Sequence, residues 1–157
     1  MAAKTNAVRI LDQARVSYEL LEYSLSDDEF SAVAVADQLG MAQDQIFKTL
    51  VAIGIPSGPV FAVVPAVAKL DLKRLAGQRQ QQRMILAPAS DLFRLTGYRR
   101  GAVTVLGARR AFPAIIDDLA TAHEYIAVSA GGPGLQVLVR TTDYLWVTGA
   151  TVAEIIR

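Results

Sequence analysis

Lys48 is the residue whose setting most needs a chemical explanation. It stands in Phe47-Lys48-Thr49-Leu50-Val51-Ala52-Ile53, a run that is otherwise nearly all apolar. On a strand, Lys48 shares a face with Leu50 and Ala52, and a cation on an apolar face is expensive to bury. Two outcomes are open. The ammonium snorkels to solvent at the strand's start, or it projects into a cleft and meets phosphate or carbonyl oxygens. Desolvation in a cleft lowers its pKa, and a phosphate opposes that shift. Glycine-rich segments supply complementary chemistry. Gly97-Tyr98, Gly101 and Gly107 allow backbone shapes closed to other residues, and Ser129-Ala130-Gly131-Gly132 follows an apolar run directly. Such loops can present backbone N–H groups to an oxyanion or phosphate. They are equally the tight turns of a β-rich fold.

Other chemistries are poorly served. A Ser–His–Asp site needs His123, the one histidine, with Ser129 and Asp117 as partners. No nucleophile-elbow pattern accompanies them, and a packing or surface role for His123 is favoured. Asp117 and Asp118 are adjacent, so on a strand only one can face a given site; at a strand-to-helix junction one of them serves as an N-cap. No phosphate-loop motif is present: Gly131-Gly132-Pro133-Gly134 has no Lys-Ser/Thr pair after it. The absence of cysteine excludes disulfides, thiolate metal sites and a cysteine nucleophile. A zinc site would have to be built almost wholly from carboxylates, which zinc rarely accepts. The expectation is a protein with no metal and no cofactor.

These groups need a scaffold, and the composition supplies one. The 157 residues are 52% hydrophobic, which suits a single domain over 1–157 with a sizeable core and is too apolar for disorder. Val60–Ala68 is far too short to span a bilayer. The N-terminal MAAKTNAVRILDQ lacks a signal core, so a cytoplasmic protein is expected, with no membrane partner. Net charge is +1. Locally, Lys69, Lys73, Arg74, Arg79 and Arg83 cluster, Arg99-Arg100 and Arg109-Arg110 form pairs, and the acids Asp27, Asp28 and Glu29 lie elsewhere. A partial basic face can contact phosphates, although charge alone favours a solvated surface.

Along the chain, Thr5 or Asn6 caps a first helix with a stripe of Val8, Ile10, Leu11 and Ala14. Tyr18–Tyr23 reads as a strand, and Ser31 caps a helix over Ala32–Leu39 that Gly40 ends. A strand from about Phe47 to Ile53 and a second over Val60–Val64 form a hairpin around Pro56, Gly58 and Pro59. Asp71 caps a helix over Leu72–Ala76, Met84–Leu86 is a strand, and Pro88 opens a helix to Leu95. Ala114–Ile116, Tyr125–Val128 and Leu135–Val139 are further strands. Helices near Thr142–Trp146 and over Thr151–Ile156 close the chain. Short strands without regular βαβ alternation predict an α+β fold, with a mixed-sheet, barrel-like core surrounded by helices.

The ordered set of motifs resembles the YbaK/EbsC proteins. It comprises Phe47-Lys48-Thr49-Leu50; Pro65 with Leu70-Asp71-Leu72-Lys73-Arg74-Leu75-Ala76; Thr96-Gly97-Tyr98 with Gly101 and Leu106-Gly107; Pro113 through Asp117-Asp118; and Val128-Ser129-Ala130-Gly131 with Gly134-Leu135-Gln136. The resemblance runs from about Lys4 to the C-terminal Thr148–Ile155. That family is related to the editing domain inserted in bacterial prolyl-tRNA synthetases. The resemblance implies a trans-editing aminoacyl-tRNA deacylase, with Cys-tRNA(Pro) or Cys-tRNA(Cys) as substrate. It implies that Lys48 is the essential residue. Gly97, Tyr98, Gly101, Ser129, Ala130 and Gly131 would line the pocket for the terminal adenosine and aminoacyl group, with Tyr23 as a pocket aromatic. The implied partner is the acceptor end of aminoacyl-tRNA, with prolyl- or cysteinyl-tRNA synthetase as the candidate protein partner. Two positions depart from the family pattern. Val105 stands where proline is common, and Gly132-Pro133 where a Lys/Arg pair is common; Pro133 offers neither charge nor N–H. The alternatives are a non-catalytic tRNA- or synthetase-binding module, a deacylase for another small aminoacyl group such as Ala, and a small-molecule binder.

Overall fold

The computed structural model describes residues 4–24 and 32–157. The acids Asp27, Asp28 and Glu29 and the expected cap Ser31 lie outside the described residues. The elements are α1 (Asn6–Gln13), β1 (Tyr18–Glu22), α2 (Ala32–Leu39), β2 (Phe47–Ile55), β3 (Gly58–Pro65), α3 (Leu72–Gln78), β4 (Arg83–Leu86), α4 (Leu92–Thr96), β5 (Ala114–Asp117), β6 (Tyr125–Ser129), β7 (Leu135–Arg140), α5 (Thr141–Thr148) and β8 (Thr151–Ala153).

The strands form two sheets, a five-stranded one ordered β4-β2-β3-β5-β8 and a three-stranded one ordered β1-β7-β6. The first is mixed: β2 pairs antiparallel with β3 and β4, whereas β3–β5 and β5–β8 are parallel. A parallel bridge between Ile46 and Ala127 ties the sheets together at the start of β2. The fold is thus α+β with a mixed sheet. The barrel expected from sequence is not seen closed among the described residues, since β4 and β8 end the larger sheet.

Patterning explains the layers. Val60–Val64 is buried throughout, as expected of a strand flanked by paired neighbours and covered on both faces. One apolar cluster joins α1 residues Ala7, Val8 and Leu11 to Ile126, Val128, Val137 and Val139 of the smaller sheet. A second packs Leu75 and Ala76 of α3 against Ala52, Ala62, Val64 and Ile115 of the larger one. Local caps set the helix starts. The Thr5 Oγ1 accepts from the Val8 N–H at 3.2 Å, and the Asp71 carboxylate accepts from the Lys73 and Arg74 N–H groups at 3.0 and 3.1 Å. Each such cap contributes about 1 kcal/mol.

The C-terminus differs from the sequence expectation. Thr151–Ile156 is not a helix: Thr151–Ala153 is β8, paired parallel with Ile115–Asp117, and Ile156 bridges Leu70. The open edge of β5 decides this, because its backbone groups need partners, and Gly149 at φ +65° ends α5. Asp117 secures the arrangement. Fully buried, its carboxylate accepts from the Leu119 N–H at 3.1 Å and the Ile155 N–H at 2.9 Å. The N-cap role expected for one of the two aspartates belongs to Asp117.

Candidate active site

The pairing pattern of β2 leaves a space. Its β4 partner covers only Ala52–Ile55, so the Phe47–Leu50 half has no β4 residues beside it. A cavity of about 350 Å³ lies there, within the usual range for small-molecule sites. Phe47, Lys48, Thr49 and Leu50 form one wall; Ser129 and Gln136 form another; Leu92, Arg100, Gly101 and Val103 contribute the rest. Adjacent strand residues normally point to opposite faces. Lys48 and Thr49 nevertheless both line this cavity. Ser129 and Gln136 are direct cross-strand partners of β6 and β7, so their side chains share one face.

Lys48 is half-buried. Burial alone lowers its pKa from the ordinary lysine value, with no neighbouring charge contributing. A desolvated ammonium that has no carboxylate partner among the described residues attracts an incoming oxygen strongly. Gln136 adds an acceptor. It is 3% exposed, and its Oε1 has no hydrogen-bond partner among the described residues. The Gln136 side chain is close enough to the Tyr23 hydroxyl to oppose in part the upward pKa shift that burial gives Tyr23. Ser129 is more fully engaged: its Oγ donates to the Ala102 carbonyl at 2.8 Å and accepts from the Gly131 N–H at 3.1 Å.

Of the site residues read from sequence, Lys48, Gly101 and Ser129 meet in this cavity. Tyr23 sits behind Gln136, in a cluster with Val35, Ala36 and Ile46. Gly97, Tyr98, Ala130 and Gly131 are not among the lining residues. Gly97, at φ +82°, ends α4. The Tyr98 hydroxyl donates to the Leu106 carbonyl at 2.6 Å, and burial pushes its pKa up to about 12. Its ring lies against Gly131, where a Cβ would come within 2.6 Å of Cε1. The Ala130 N–H donates to the Leu135 carbonyl and the Gly131 N–H to Ser129, so neither is directed at the cavity. Tyr98, Ala130 and Gly131 thus shape the loop that follows Ser129.

Sequence reasoning passed over Thr49, Arg100 and Gln136 as site residues. For Gln136 a signal existed: a polar residue between Leu135 and Val137 in an apolar strand. Arg100 stands beside Gly101, but its side-chain direction is not legible from spacing. The triad does not assemble, because Ser129 and Asp117 are committed to the backbone bonds already described. His123 instead approaches Asp44, Nε2 to Oδ1 3.6 Å, and lines a separate surface hollow of about 280 Å³ with Thr121, Glu124, Arg140, Thr142 and Leu145.

The aminoacyl-tRNA editing domain family matches residues 27–146. A protein of Enterococcus faecalis named "Putative Cys-tRNA(Pro)/Cys-tRNA(Cys) deacylase EbsC" is 39% identical over 152 residues, covering 97% of this chain and 93% of that one. The crystal structure of "a putative trans-editing enzyme for prolyl tRNA synthetase" superposes with TM-score 0.85 at 23% identity, over 99% of both chains. A hypothetical protein of known structure superposes with TM-score 0.87 at 19% identity, over 98% of this chain and all of its own. With the motif order, the α+β architecture and the family match in agreement, the chain belongs to the aminoacyl-tRNA editing domain family, of the YbaK/EbsC type.

Proposed function

We propose that this chain is a trans-acting deacylase that cleaves the ester of misacylated tRNA, with Cys-tRNA(Pro) or Cys-tRNA(Cys) as substrate and the cytoplasm as its place of work. The observation that carries the reading is that one cavity is lined by both a desolvated Lys48, which has no ion-pair partner among the described residues, and Gln136, whose buried Oε1 has no hydrogen-bond partner there. An aminoacyl ester presents the matching groups: a carbonyl oxygen that gains negative charge on attack and an α-ammonium that donates hydrogen bonds. Lys48 steadies the oxyanion and Gln136 receives the ammonium. The family membership and the E. faecalis relative's name support the same reading.

Among the described residues the cavity holds no activated nucleophile, since the Ser129 proton is given to Ala102. The nucleophile is therefore assigned to the substrate. The cysteinyl thiol attacks its own carbonyl: an S–C bond forms, the C–O bond to the ribose breaks, and the thiol proton ends on the departing ribose oxygen. Water then opens the cyclic thioester. Intramolecular attack in a held geometry reaches effective molarities on the order of 10⁵ M or more. A non-thiol substrate such as alanyl-tRNA requires water as the attacking group. Tyr98, Ala130 and Gly131 enter this scheme as supports of the loop that follows Ser129, and Tyr23 as the support of Gln136.

A second reading is a non-catalytic tRNA- or synthetase-binding module. It is favoured by the turn at Gly132-Pro133, where exposed Pro133 offers no charge. One assay decides between the two. The protein is incubated with tRNA charged separately with Cys, Ala, Ser and Pro, and loss of each aminoacyl group is followed. Cys is expected to be lost fastest. Rates no faster than spontaneous hydrolysis for all four would refute the enzyme. The same assay with prolyl- or cysteinyl-tRNA synthetase added tests the protein partner.

A further inference from the structure

One lip of the Lys48 cavity is formed by a segment with an unusual charge. Residues 91–110 carry Arg94, Arg99, Arg100, Arg109 and Arg110 against a single acid, Asp91, in a chain of net charge +1. All five arginines are exposed. Among the described residues only Arg94 has an ion-pair partner, Asp91 at 3.5 Å. The cations are also held together. Phe93, 45% exposed, has the Arg99 Cζ 4.8 Å and the Arg109 Cζ 5.2 Å from its ring centroid. Arg109 Nη1 further donates to the Arg94 carbonyl at 3.2 Å. Like charges gathered on one ring repel each other, and an anion between them relieves that repulsion. A guanidinium over an aromatic face keeps its in-plane N–H groups free to bind that anion.

We propose that this surface binds the sugar–phosphate backbone of RNA and seats the acceptor stem so that its 3′ end enters the Lys48 cavity. The proposal rests on the reading of that cavity as an aminoacyl-tRNA site. Arg100 provides the continuity, because it belongs to the basic segment and also lines the cavity. RNA is favoured over an acidic protein on two grounds. Every cation here is arginine, whose planar fork pairs bidentately with phosphate. The one exposed aromatic is already occupied by two guanidiniums, leaving no apolar centre of the kind protein interfaces use.

The test uses the Arg99→Gln/Arg109→Gln/Arg110→Gln triple variant, which leaves Arg100 in place. Binding of an uncharged tRNA is followed by fluorescence anisotropy between 50 and 200 mM salt. The triple variant is expected to bind about 10- to 100-fold more weakly at the low-salt end, with a log–log salt slope shallower by about 2. Phe93→Leu keeps every charge and is expected to weaken binding about 3-fold, through loss of the platform. Hydrolysis of a cysteine ester of adenosine, which has no phosphate, reads the cavity alone and is expected to keep the parent rate in the triple variant. Unchanged tRNA affinity and slope in a folded triple variant overturn the proposal. So does a parent that binds polyglutamate as tightly as tRNA, with both lost together, since the surface would then serve an acidic protein. If the parent cleaves neither the adenosine ester nor Cys-tRNA while the triple variant loses tRNA binding, the RNA surface stands and the deacylase reading falls.

Discussion

Two hollows of this molecule are close in size and opposite in state. Around His123 the polar groups are matched. The Arg140 guanidinium contacts the Glu124 carboxylate at 2.6 Å and the Tyr125 hydroxyl at 2.8 Å, and Thr141 Oγ1 donates to the His123 carbonyl at 2.7 Å. Around Lys48, among the described residues, they are not: a cation is desolvated without a counterion, and a buried amide oxygen lacks a donor. An unsatisfied buried polar group costs about 1–3 kcal/mol. A bound ligand would offset such a cost, and on the proposed reading the difference sets the Lys48 cavity apart as the binding site from the His123 hollow.

The largest effect should follow removal of the unpaired cation. Lys48→Ala is expected to lower kcat/KM for Cys-tRNA by about 10²–10³, the usual loss when a group that stabilises developing charge is deleted. Tritiated or otherwise labelled aminoacyl release measures it, and parental activity in the variant would remove Lys48 from the mechanism. The pH dependence carries a sign. Burial holds the Lys48 pKa below the ordinary 10.5, so its cation is lost at lower pH than an ordinary lysine's. Enzymatic activity, with spontaneous hydrolysis subtracted, is expected to fall on the alkaline side below pH 10.5. Any residual activity of Lys48→Arg should lack that limb, because a guanidinium stays charged.

The unsatisfied acceptor comes next. Gln136→Leu removes Oε1 while filling similar space, and is expected to lower kcat/KM about 10-fold, mostly through KM, since a ground-state contact to the ammonium is lost. Gln136→Glu places a carboxylate in the cavity with Lys48. The opposite charge raises the lysine pKa, so the alkaline limb should move to higher pH. An unmoved limb would show that the two groups do not sense each other.

Much of this contrast was legible in the sequence, and what was not has physical causes. The Phe47 and Val60 strands declared themselves through β-branched runs around a Pro-Gly turn, and Asp71 through its capping position. The Lys48 assignment came from motif order, since an isolated lysine at a strand start is ordinary. Residue spacing could not show that β4 ends at Leu86, opposite Ala52, and leaves Phe47–Leu50 without β4 partners. Nor could it separate glycines that line a site from glycines that shape its support. Gly101 reaches the cavity, whereas Gly131 is fixed by a Tyr98 ring that a Cβ would strike. Thr151–Ile156 was misread because its apolar residues suit a helix, while the unpaired edge of β5 is a tertiary fact invisible to local pattern.

A smaller effect should appear in stability. Lowering of a lysine pKa on folding means that, between the folded value and 10.5, the unfolded state holds the proton and the folded state does not. Stability from this group therefore rises with pH through that window, and at neutral pH the buried cation is a net cost. Lys48→Met removes the charge and keeps the stem. It is expected to raise Tm at pH 7 by about 1–4 °C, while lowering kcat/KM as far as Lys48→Ala does. A lowered Tm would mean that Lys48 is satisfied in the folded protein, and the contrast between the two hollows would weaken.

The smallest effect belongs to the other hollow. Arg140→Ala breaks the contacts to Glu124 and Tyr125, yet both partners of the ion pair are exposed, with side chains 45% and 68% accessible. Exposed pairs contribute little, because water and salt replace them. The expected outcome is a Tm shift of no more than about 2 °C and a rate on Cys-tRNA within about twofold of the parent. His123→Ala should behave alike, because its weak approach to Asp44 is a surface contact and no bond links it to Ser129. If either substitution lowers kcat/KM as far as Gln136→Leu does, matched polar groups have ceased to mean structural ones in this protein. The His123 hollow would then have to enter the mechanism.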